Sequence, residues 1–506
     1  MRILIKGAGD LATGIACRLH RCCYEILMTD IAVPTAVRRT VSFSRAIYEE
    51  KAVIEGIEAV YVGSMENNPD DTLCSMENLC TKIDRVTASG KIAVIVDPDA
   101  AISKVYKPDV IVDAIIAKKN LGTLITDAPL VIGVGPGFTA GIDCHCVVET
   151  KRGHYLGKVM HTGSAIPNTG VPGDIGGFTT ERIIRATADG VFVPVKQIGD
   201  RVEAGDIVAE ILRNENDCSE IPGQNLSSTD DNKGFSETIP IKKTKEVTEP
   251  IFAQIPGIIR GMLQADVPVY KGMKCGDIDP RCEQEHCYTV SDKARAIGGG
   301  VLEAIAGFEH KRNTTGIVLL AAGEGKRYGS NKLLDTINGS RMFEKTVDAA
   351  AGAIESMTAS AGLVIVTGYD EIEKYASEKG FKVVRNNRPE LGISESLKLG
   401  LKEMVEDNKG NEVGSILFAV CDQPGLTADS FRRLIDGYSA SDKGLACMGQ
   451  GENMLGNPCI FSKAYFDELN SLTGDTGGKR VIMAHKDDLK VIYATDLELA
   501  DIDTKR

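Results

Sequence analysis

Short apolar runs alternate with helix-type polar patterns from the start of the chain to about residue 140. These runs have the length and composition of buried strands, and they lie at Arg2–Lys6, Ile26–Thr29, Ile92–Val96, Val110–Ala114 and Leu130–Val134. Strands that alternate with helices are typical of a parallel sheet covered by helices. The pattern therefore predicts an α/β, Rossmann-like domain over residues 1–140.

The pattern changes at about Gly141 to strand-rich segments with Gly-Asp turns. The stretches DGVFVPVKQIGDRVEAGDIVAEI and IPGIIRGMLQADVPVYKGMKCGDIDP share one plan, in which an apolar strand meets a Val-x-x-Gly turn and a Gly-Asp follows. This repeat predicts a small β-rich barrel or sandwich with two related halves over residues 141–310. The polar stretch between the halves, about 214–250, is poor in aromatic residues and is predicted to be a disordered insertion.

An α/β pattern resumes after the polar joint His310–Thr315, which predicts a last domain over residues 314–506. Its first segment, TGIVLLAAGEGKRYGSNKLL, contains a strand at Ile317–Leu320 and then a turn of small residues. Backbone N–H groups of such a turn approach a triphosphate closely, which makes nucleotide ligands of Leu320, Ala321, Ala322, Gly323 and Gly325. Arg327 and Lys332 place two cations beside it. The segment therefore predicts a nucleoside triphosphate site.

Charge and composition narrow the partners. The formal net charge of −13 argues against a nucleic-acid duplex or an anionic membrane, whereas a nucleotide with Mg²⁺ needs only a few local cations. The sequence has no apolar stretch of the ~20 residues that a membrane span needs, and MRILIKGAGD is typical of a buried strand rather than a signal peptide. The 14 cysteines lack a disulfide-framework spacing, so a cytoplasmic protein is expected.

The C-terminal segment resembles the signature of the MobA-like nucleotidyltransferases, L-A-A-G-x-S-x-R-M-G-x-x-K, with Gly325 and Tyr328 at the positions of Ser and Met. The resemblance continues in order through RNNRPELGISESLKLGL, ILFAVCDQPGLT, GNPCIF, GDTGGK and DIDT. Within that family the chain looks most like the molybdenum cofactor cytidylyltransferases. The resemblance thus implies transfer of CMP from CTP to molybdopterin with release of pyrophosphate, although no motif distinguishes CTP from GTP.

Residue types at these positions suit that chemistry. Asp422, after an apolar strand, is the expected Mg²⁺ ligand, and Lys332 and Arg327 are expected to hold the phosphates. The other candidates are Asn387, Ser394 and Ser396 for the nucleotide pocket, Gly456, Pro458 and Asp475 for the acceptor, and Asp503 or Asp501 for a second metal contact. Turn formation is the alternative for Asp422 and Asp475, and solvation is the alternative for the two terminal aspartates.

The first strand runs into IKGAGDLATGIACRL, which has the G-x-G-x-x-A form of a dinucleotide turn. Its small residues are Gly7, Gly9, Ala12 and Gly14, and Asp30 follows in the place of a ribose-binding acid. The turn predicts a Rossmann-like fold. A bound nucleotide such as NAD and a purely structural turn are both compatible with it, since helix–strand packing needs the same glycines.

Most of residues 1–307 resembles the YqeB-type proteins, which are linked to selenium-dependent molybdenum hydroxylases. The segments that carry the resemblance are GAGDLATGIA, GVGPGFTAG, DCHCVVETKRGH, GSAIPNTGVPGDIGG, KCGDIDPR and SDKARAIGGGVLEAI. It implies a role in maturing the molybdenum cofactor or the enzyme that carries it. Cys144, His145 and Cys146 suggest a soft metal site, but neighbouring residues on a strand point to opposite faces, so packing is preferred. The spacing of Cys275, Cys282, His286 and Cys287 matches no standard zinc pattern.

The sequence therefore predicts a fusion that makes the cytosine dinucleotide form of the molybdenum cofactor for a molybdenum hydroxylase. One alternative is nucleotidyl transfer to another phosphorylated acceptor, such as a sugar or polyol phosphate. Another is a carrier or chaperone whose N-terminal part docks a client enzyme. An NAD-dependent dehydrogenase is disfavoured, because no convincing acid–base set for hydride transfer is present.

Overall fold

A computed structural model describes residues 1–65, 73–168, 175–214, 246–323, 331–337, 339–355, 357, 361–406, 412–451 and 454–501. Gly325, Arg327 and Asp503 lie outside these described residues. The chain forms two compact units, of which the first comprises Met1–Asp127 and Ile132–Leu302 and the second Ala128–Val131 and Glu303–Arg506. In the described part, no helix is long and apolar enough to cross a membrane.

A nine-stranded sheet organises the first part of unit 1. The strands of this region, of which all but β8 belong to the sheet, are β1 (Arg2–Lys6), β2 (Glu25–Asp30), β3 (Lys51–Ile54), β4 (Ile57–Ser64), β5 (Ile92–Val96), β6 (Val110–Asp113), β7 (Leu130–Val134), β8 (Thr139–Ala140), β9 (Cys146–Val148) and β10 (Val159–Met160). The strand order in the sheet is β10-β9-β7-β6-β1-β2-β5-β4-β3, and β8 pairs instead with β11 (Gly163–Ser164). The central pairs β1–β2, β1–β6 and β2–β5 are parallel.

Four helices accompany this sheet: α1 (Asp10–Arg21), α2 (Ala46–Glu49), α3 (Leu73–Ala88) and α4 (Ser103–Tyr106). All five residues of β5 are buried, as expected for a central strand covered on both faces. The sheet continues to Met160, beyond the predicted boundary at residue 140. The Rossmann-like α/β class predicted for this region is confirmed.

Two four-stranded antiparallel sheets form the β-rich part of unit 1. Their strands are β12 (Ile183–Arg185), β13 (Gly190–Pro194), β14 (Arg201–Val202), β15 (Ile207–Asn214), β16 (Glu246–Phe252), β17 (Gly257–Met262), β18 (Pro268–Val269) and β19 (Lys274–Asp279). The orders are β12-β19-β17-β14 and β16-β15-β13-β18. Buried side chains from both sheets, including Phe192, Ile211, Ile259 and Ile278, share one core, which confirms a β-rich sandwich.

The two sequence halves exchange strands. Short β14 of the first half pairs with β17 of the second, and short β18 of the second half pairs with β13 of the first. The two Val-x-x-Gly turns are equivalent, because Gly205 and Gly272 both have positive φ, and the N–H of each donates to an alanine carbonyl, Ala253 and Ala186 respectively. Neither half is therefore a separate folding layer.

The predicted insertion is shorter than its sequence suggested. Strand β15 continues to Asn214 and pairs in register with β16 from Glu246 onward, so residues 214 and 246–250 belong to a ladder. Polar and charged residues on these strands, such as Arg213 and Glu249, pair across the ladder with Nη1 2.7 Å from Oε1. Only residues 215–245 remain of the predicted insertion, and they lie outside the described residues.

Unit 2 is built on a seven-stranded mixed sheet. Helix α5 (Asp292–Asn313) precedes it, and its strands are β20 (Thr315–Ala321), β23 (Leu363–Thr367), β24 (Lys382–Arg385), β25 (Ser415–Val420), β26 (Leu445–Gly449), β27 (Leu455–Ser462) and β28 (Leu489–Tyr493). Their order is β24-β23-β20-β25-β27-β26-β28, while β21 (Thr336–Ile337) and β22 (Ser340–Arg341) form a separate hairpin. The α/β class predicted for this domain is confirmed.

The helices of unit 2 are α6 (Met342–Glu355), α7 (Asp370–Glu378), α8 (Ile393–Glu406), α9 (Ala428–Ser439), α10 (Phe466–Ser471), α11 (Lys479–Ala484) and α12 (Asp496–Leu499). Apolar clusters on both faces of the sheet are centred on β20, where Ile317 and Leu319 point to one side and Val318 and Leu320 to the other. Strand alternation thus accounts for the continuous apolar run that the sequence shows.

Candidate active site

The candidate site lies at one edge of the seven-stranded sheet. Strands β24, β23, β20 and β25 are parallel neighbours, so their carboxyl ends meet at this edge. The chain passes from β20 to β23 on one side and returns to β25 on the other, which makes the end of β20 a topological switch point. Ligands of open α/β sheets bind in the crevice outside such a point.

An ion pair joins the predicted phosphate-binding lysine to the predicted metal ligand. Lys332 begins a 3-10 turn, Lys332–Leu334, that is capped by the Asn331 side chain, which accepts from the N–H of Leu333. Asp422 follows β25 by two residues, and its Oδ2 lies 2.6 Å from Nζ of Lys332. The two side chains are only 16% and 20% exposed. The structure therefore brings together two residues that are 90 positions apart in the sequence, beside the end of β20.

The carboxylate of Asp422 retains capacity to bind a cation. Its Oδ1 is buried and has no hydrogen-bond partner, although Oδ2 is paired with Lys332. A buried, unpartnered carboxylate oxygen is costly unless a ligand satisfies it. Mg²⁺ is commonly held by one or two carboxylates together with substrate phosphates, so this single carboxylate fits the ion when a triphosphate is present. Within the described residues no group of three or more His, Cys, Asp or Glu side chains could hold a metal by itself.

The small-residue turn after β20 leaves space at its end. Leu320, Ala321 and Ala322 are buried, whereas a Cβ placed on Gly323 would have no heavy atom of the described residues within 4 Å. The neighbouring strand fixes this turn, because the Thr367 hydroxyl donates to the carbonyl of Ala321 at 3.0 Å and the Tyr369 hydroxyl donates to that of Gly323 at 2.8 Å. The backbone at Gly323 is therefore held in place and faces open space.

An asparagine that the sequence analysis did not select lies inside the site. Asn386 is the first residue after β24 and is 2% exposed, and its Nδ2 donates to Oγ of Ser396 at 2.9 Å. Its Oδ1 accepts from the N–H of Arg388, also at 2.9 Å. The predicted Asn387 is exposed. No local signal in the sequence separates the two adjacent asparagines, because the four residues of β24 before them are half-buried or exposed.

The start of α8, which carries the two predicted serines, contacts the loop that carries Asp475. Ser394 and Ser396 are buried in the first turn of α8, and the N–H of Ser394 donates to the carbonyl of Gly474 at 3.2 Å. Gly392 has φ +85°, and a Cβ there would lie 2.5 Å from the carbonyl carbon of Gly474. Asp475, next to this contact, is exposed. The arrangement joins the proposed nucleotide and acceptor segments through backbone alone.

Gly456 and Pro458, the other predicted acceptor residues, lie on β27. A Cβ on Gly456 would lie 2.7 Å from Cδ2 of Leu499, so this glycine makes room for α12. Pro458 is buried and follows a cis peptide bond from Asn457. Their placement shows a packing role, and acceptor binding by these two residues stays a prediction.

The N-terminal glycine turn of unit 1 has the predicted geometry. Gly7 has φ +92°, Gly9 caps α1 and Ala12 is buried in its first turns. A Cβ on Gly14 would lie 2.5 Å from Cβ of Ala294, so Gly14 permits the close contact of α1 with α5.

Asp30 holds this turn. Its Oδ2 accepts from the N–H of Ala8 at 2.9 Å and its Oδ1 from that of Ile31 at 2.8 Å. Burial raises the pKa of Asp30, and these two hydrogen bonds oppose the increase. Asp30 thus has a structural role in the turn, and NAD binding stays a prediction.

The cysteine groups noted in the sequence are mostly buried thiols. Cys144 and Cys146 are fully buried while His145 between them is partly exposed, as expected for alternate faces. Burial raises the pKa of the Cys144 thiol to about 12. Cys275 and Cys287 are buried as well, and Cys282 is half-buried. Thiols in such surroundings are poor nucleophiles and poor thiolate ligands.

Comparison with known proteins finds one match for the C-terminal domain and another over 309 residues of the chain. Residues 317–489 match the model of the MobA-like NTP transferase domain. The chain is 40% identical over 309 residues, 61% of its length, to the uncharacterized protein YqeB of Escherichia coli (strain K12), and it spans about half, 48%, of that relative. The resemblance to a YqeB-type protein joined to a MobA-like domain is confirmed, and the domain match supports nucleotidyl transfer.

Solved structures similar to this chain cover little more than a third of it and have low TM-scores. Rv0371c of Mycobacterium tuberculosis H37Rv is 23% identical, with 38% of this chain and 94% of that chain covered and a TM-score of 0.32. The manganese complex of the same protein is 22% identical, with 36% and 87% covered and a TM-score of 0.29.

Proposed function

We propose that the C-terminal domain transfers CMP from CTP to a molybdopterin-type acceptor and releases pyrophosphate, in the maturation of a molybdenum hydroxylase. The observation that carries the proposal is the Lys332–Asp422 pair beside the fixed turn at Gly323. A cation for the phosphates and a carboxylate with a free buried oxygen lie together at the switch point of the sheet. The cytidine base and the molybdopterin acceptor come from the resemblance in the motifs after β20.

The reaction is an in-line substitution at the α-phosphorus of the triphosphate. An oxygen of the acceptor phosphate forms a new P–O bond, and the bond from the α-phosphorus to the β-phosphate oxygen breaks, so that pyrophosphate leaves. This substitution needs positioning and charge neutralisation rather than a covalent enzyme intermediate. The residues at the site supply those two functions.

Each described residue has a defined part in this scheme. Lys332 holds the phosphates after exchanging its bond to Asp422 for one to the triphosphate. Asp422, whose Oδ1 has no partner, would hold Mg²⁺, and the ion would supply charge neutralisation for the leaving pyrophosphate. Asn386 and Ser396 fix the start of α8, on which the pocket residue Ser394 lies.

Pyrophosphate release by the full chain tests this proposal. The protein is incubated with Mg²⁺, molybdopterin or its molybdenum form, and CTP, GTP or ATP in turn, with Asp422→Asn as the inactive comparison. Release with CTP that the variant loses is the expected result. Release only with a sugar or polyol phosphate as acceptor would replace the substrate assignment, and no release with any nucleotide would contradict nucleotidyl transfer.

A further inference from the structure

A cavity of about 560 Å³ lies within unit 1, between the first turn of α1 and the β-rich part. Its lining includes Asp10 and Leu11 of α1, Arg260 of β17, and Lys274 and Asp277 of β19. The lining also contains apolar side chains, including Val37, Ile116 and Ile166. Its volume is in the range of sites for small organic ligands.

The lining is strongly basic although the chain is acidic. Among its described residues are eight Lys or Arg and two Asp, and the cations are Arg38, Lys118, Lys151, Arg152, Arg182, Arg260, Lys274 and Lys293. The chain as a whole has a formal charge of −13. A cleft with one sign of charge and low-dielectric walls concentrates the opposite charge. The excess of cations is therefore a local property of the cavity lining, because the chain as a whole carries more acidic than basic residues.

Arg38 is buried in this cavity with an unsatisfied donor. It is 7% exposed, and its Nη2 donates to the carbonyls of His286 at 2.9 Å and Thr289 at 3.2 Å. Its Nη1 lies 3.7 Å from Oδ2 of Asp10, and its Nε is buried without a hydrogen-bond partner. Two carbonyl hydrogen bonds and, within the described residues, one long ion pair thus offset the burial of this guanidinium, and its Nε remains unsatisfied.

Arg260, which also lines the cavity, is in a similar position. It is 9% exposed, and its Nε, 3.7 Å from Oδ2 of Asp279, is buried and makes no hydrogen bond. The carboxylate of Asp279 is already occupied by Arg281, whose Nε and Nη2 lie 2.9 and 2.6 Å from its two oxygens. Asp277, the buried acid of the lining, has Oδ2 3.5 Å from Nη1 of Arg182. Within the described residues, Arg260 therefore shares its nearest carboxylate, that of Asp279, with Arg281.

The cations of the cavity also oppose one another. Burial lowers the pKa of Arg38, and the charge of Arg260 lowers it further. Burial likewise lowers the pKa of the half-buried Lys293. The charge of Asp10 raises this pKa, and the charge of Arg152 lowers it. Buried charges are unfavourable unless they are paired. An anion in the cavity would satisfy the free Nε donors and remove this repulsion.

We propose that this cavity binds the phosphate or pyrophosphate group of a small molecule, held by Arg38 and Arg260. The planar guanidinium is suited to phosphate oxygens. The N-terminus of the twelve-residue helix α1, whose first residues Asp10 and Leu11 line the cavity, adds N–H donors. The apolar residues of the lining leave room for an organic body beside the anion. The site is in unit 1 and is separate from the nucleotidyl transfer proposed for unit 2.

Binding of inorganic pyrophosphate to the full chain tests the proposal. Because the C-terminal site also attracts phosphates, the chain carries Lys332→Ala and Asp422→Asn, and calorimetric titration is done without Mg²⁺, phosphate or sulfate. Saturable binding is expected, and Arg260→Gln and Lys293→Met should each weaken it about tenfold or more. Arg85→Gln, which removes an exposed arginine from α3, is the matched control and should leave it unchanged.

The unfolding temperature separates loss of binding from loss of fold. Pyrophosphate should raise the Tm of the parent chain. Arg260→Gln should abolish that increase without lowering the Tm measured in the absence of ligand, because it removes a repelled charge. Absence of saturable binding, or equal affinity in the Arg260→Gln variant, would overturn the proposal. Titration of NAD against bound pyrophosphate distinguishes an organic source, which displaces it, from an inorganic one.

Discussion

Lys332 and Asp422 hold each other at the carboxyl edge of the C-terminal sheet, with Nζ 2.6 Å from Oδ2, while Oδ1 of the same carboxylate is buried and unpartnered. The lysine arrives from the turn after β20 and the aspartate from the end of β25. A triphosphate with its metal ion would separate the pair by giving each side chain a stronger partner. In the proposed reaction, the ion pair would keep both groups in position for the triphosphate.

Removing the cation of this pair should impair the chemical step. Lys332→Met is expected to lower kcat for pyrophosphate release about 100-fold or more, which is the usual effect of losing one donor to a charged transition state. Steady-state kinetics with CTP measure it. Lys402→Met changes an exposed lysine on α8 and should retain full activity. An unchanged kcat in Lys332→Met would remove Lys332 from the phosphate site.

Replacement by alanine should destabilise the protein at Asn386 but have little effect at the adjacent Asn387. Asn386→Ala leaves a buried serine hydroxyl and the N–H of Arg388 without their partner, at an expected cost of about 1–3 kcal/mol in local stability. Asn387→Ala changes an exposed side chain and should stay within about 0.5 kcal/mol. Hydrogen–deuterium exchange over residues 386–396 measures both. Equal protection in the two variants would show that the Asn386 network does not stabilise this segment.

Two helical glycines of unit 1 form a second matched pair. Gly14→Ala places a Cβ 2.5 Å from Cβ of Ala294 and should destabilise the unit by about 1–3 kcal/mol. Gly299→Ala, on α5, meets only the end of Arg18 at 3.8 Å and should stabilise the helix by about 0.5–1 kcal/mol. Scanning calorimetry of the full chain gives both shifts. A tolerated Gly14→Ala would contradict the close contact of α1 and α5.

Acid should loosen the C-terminal helix through Glu498. Burial raises the pKa of this carboxyl, but hydrogen bonds from Ser430 and Thr495 and the charge of Arg433 outweigh it and hold the pKa below its ordinary value. The contribution of Glu498 to stability is therefore complete above the unfolded pKa of about 4.3 and is lost as the pH falls through the lower folded pKa.

Hydrogen exchange of α9 and α12 between pH 6 and pH 3, corrected for the intrinsic exchange rate, measures this dependence. Glu498→Gln should reduce protection at pH 6 and flatten the loss of protection below about pH 4.3. Glu406→Gln, at an exposed position on α8, should leave the pH profile unchanged. A wild-type profile that is flat over this range would show that the buried carboxylate does not stabilise the two helices.

The sequence by itself determined the order of elements and the chemistry of the C-terminal edge. Strand-length apolar runs end at Leu320 and Val420, and the carboxyl ends of parallel strands meet at one edge, so the sequence selected Lys332 and Asp422 as candidates, whereas their ion pair became visible only in the structure. The glycine turn at Gly7 and the β-rich middle were also predictable, because local backbone conformation and side-chain alternation depend on neighbouring residues.

Only the tertiary structure decided which distant residues share a site. Arg38 and Arg260 are separated by more than two hundred residues, and no local pattern shows that both are buried in one cavity. The exchange of β14 and β18 between the two halves depends on pairing with strands of the other half. Asn386 rather than Asn387 is buried, where it donates a hydrogen bond to Ser396 of α8. Each of these features arises from contacts between distant segments, which form only when the whole core packs.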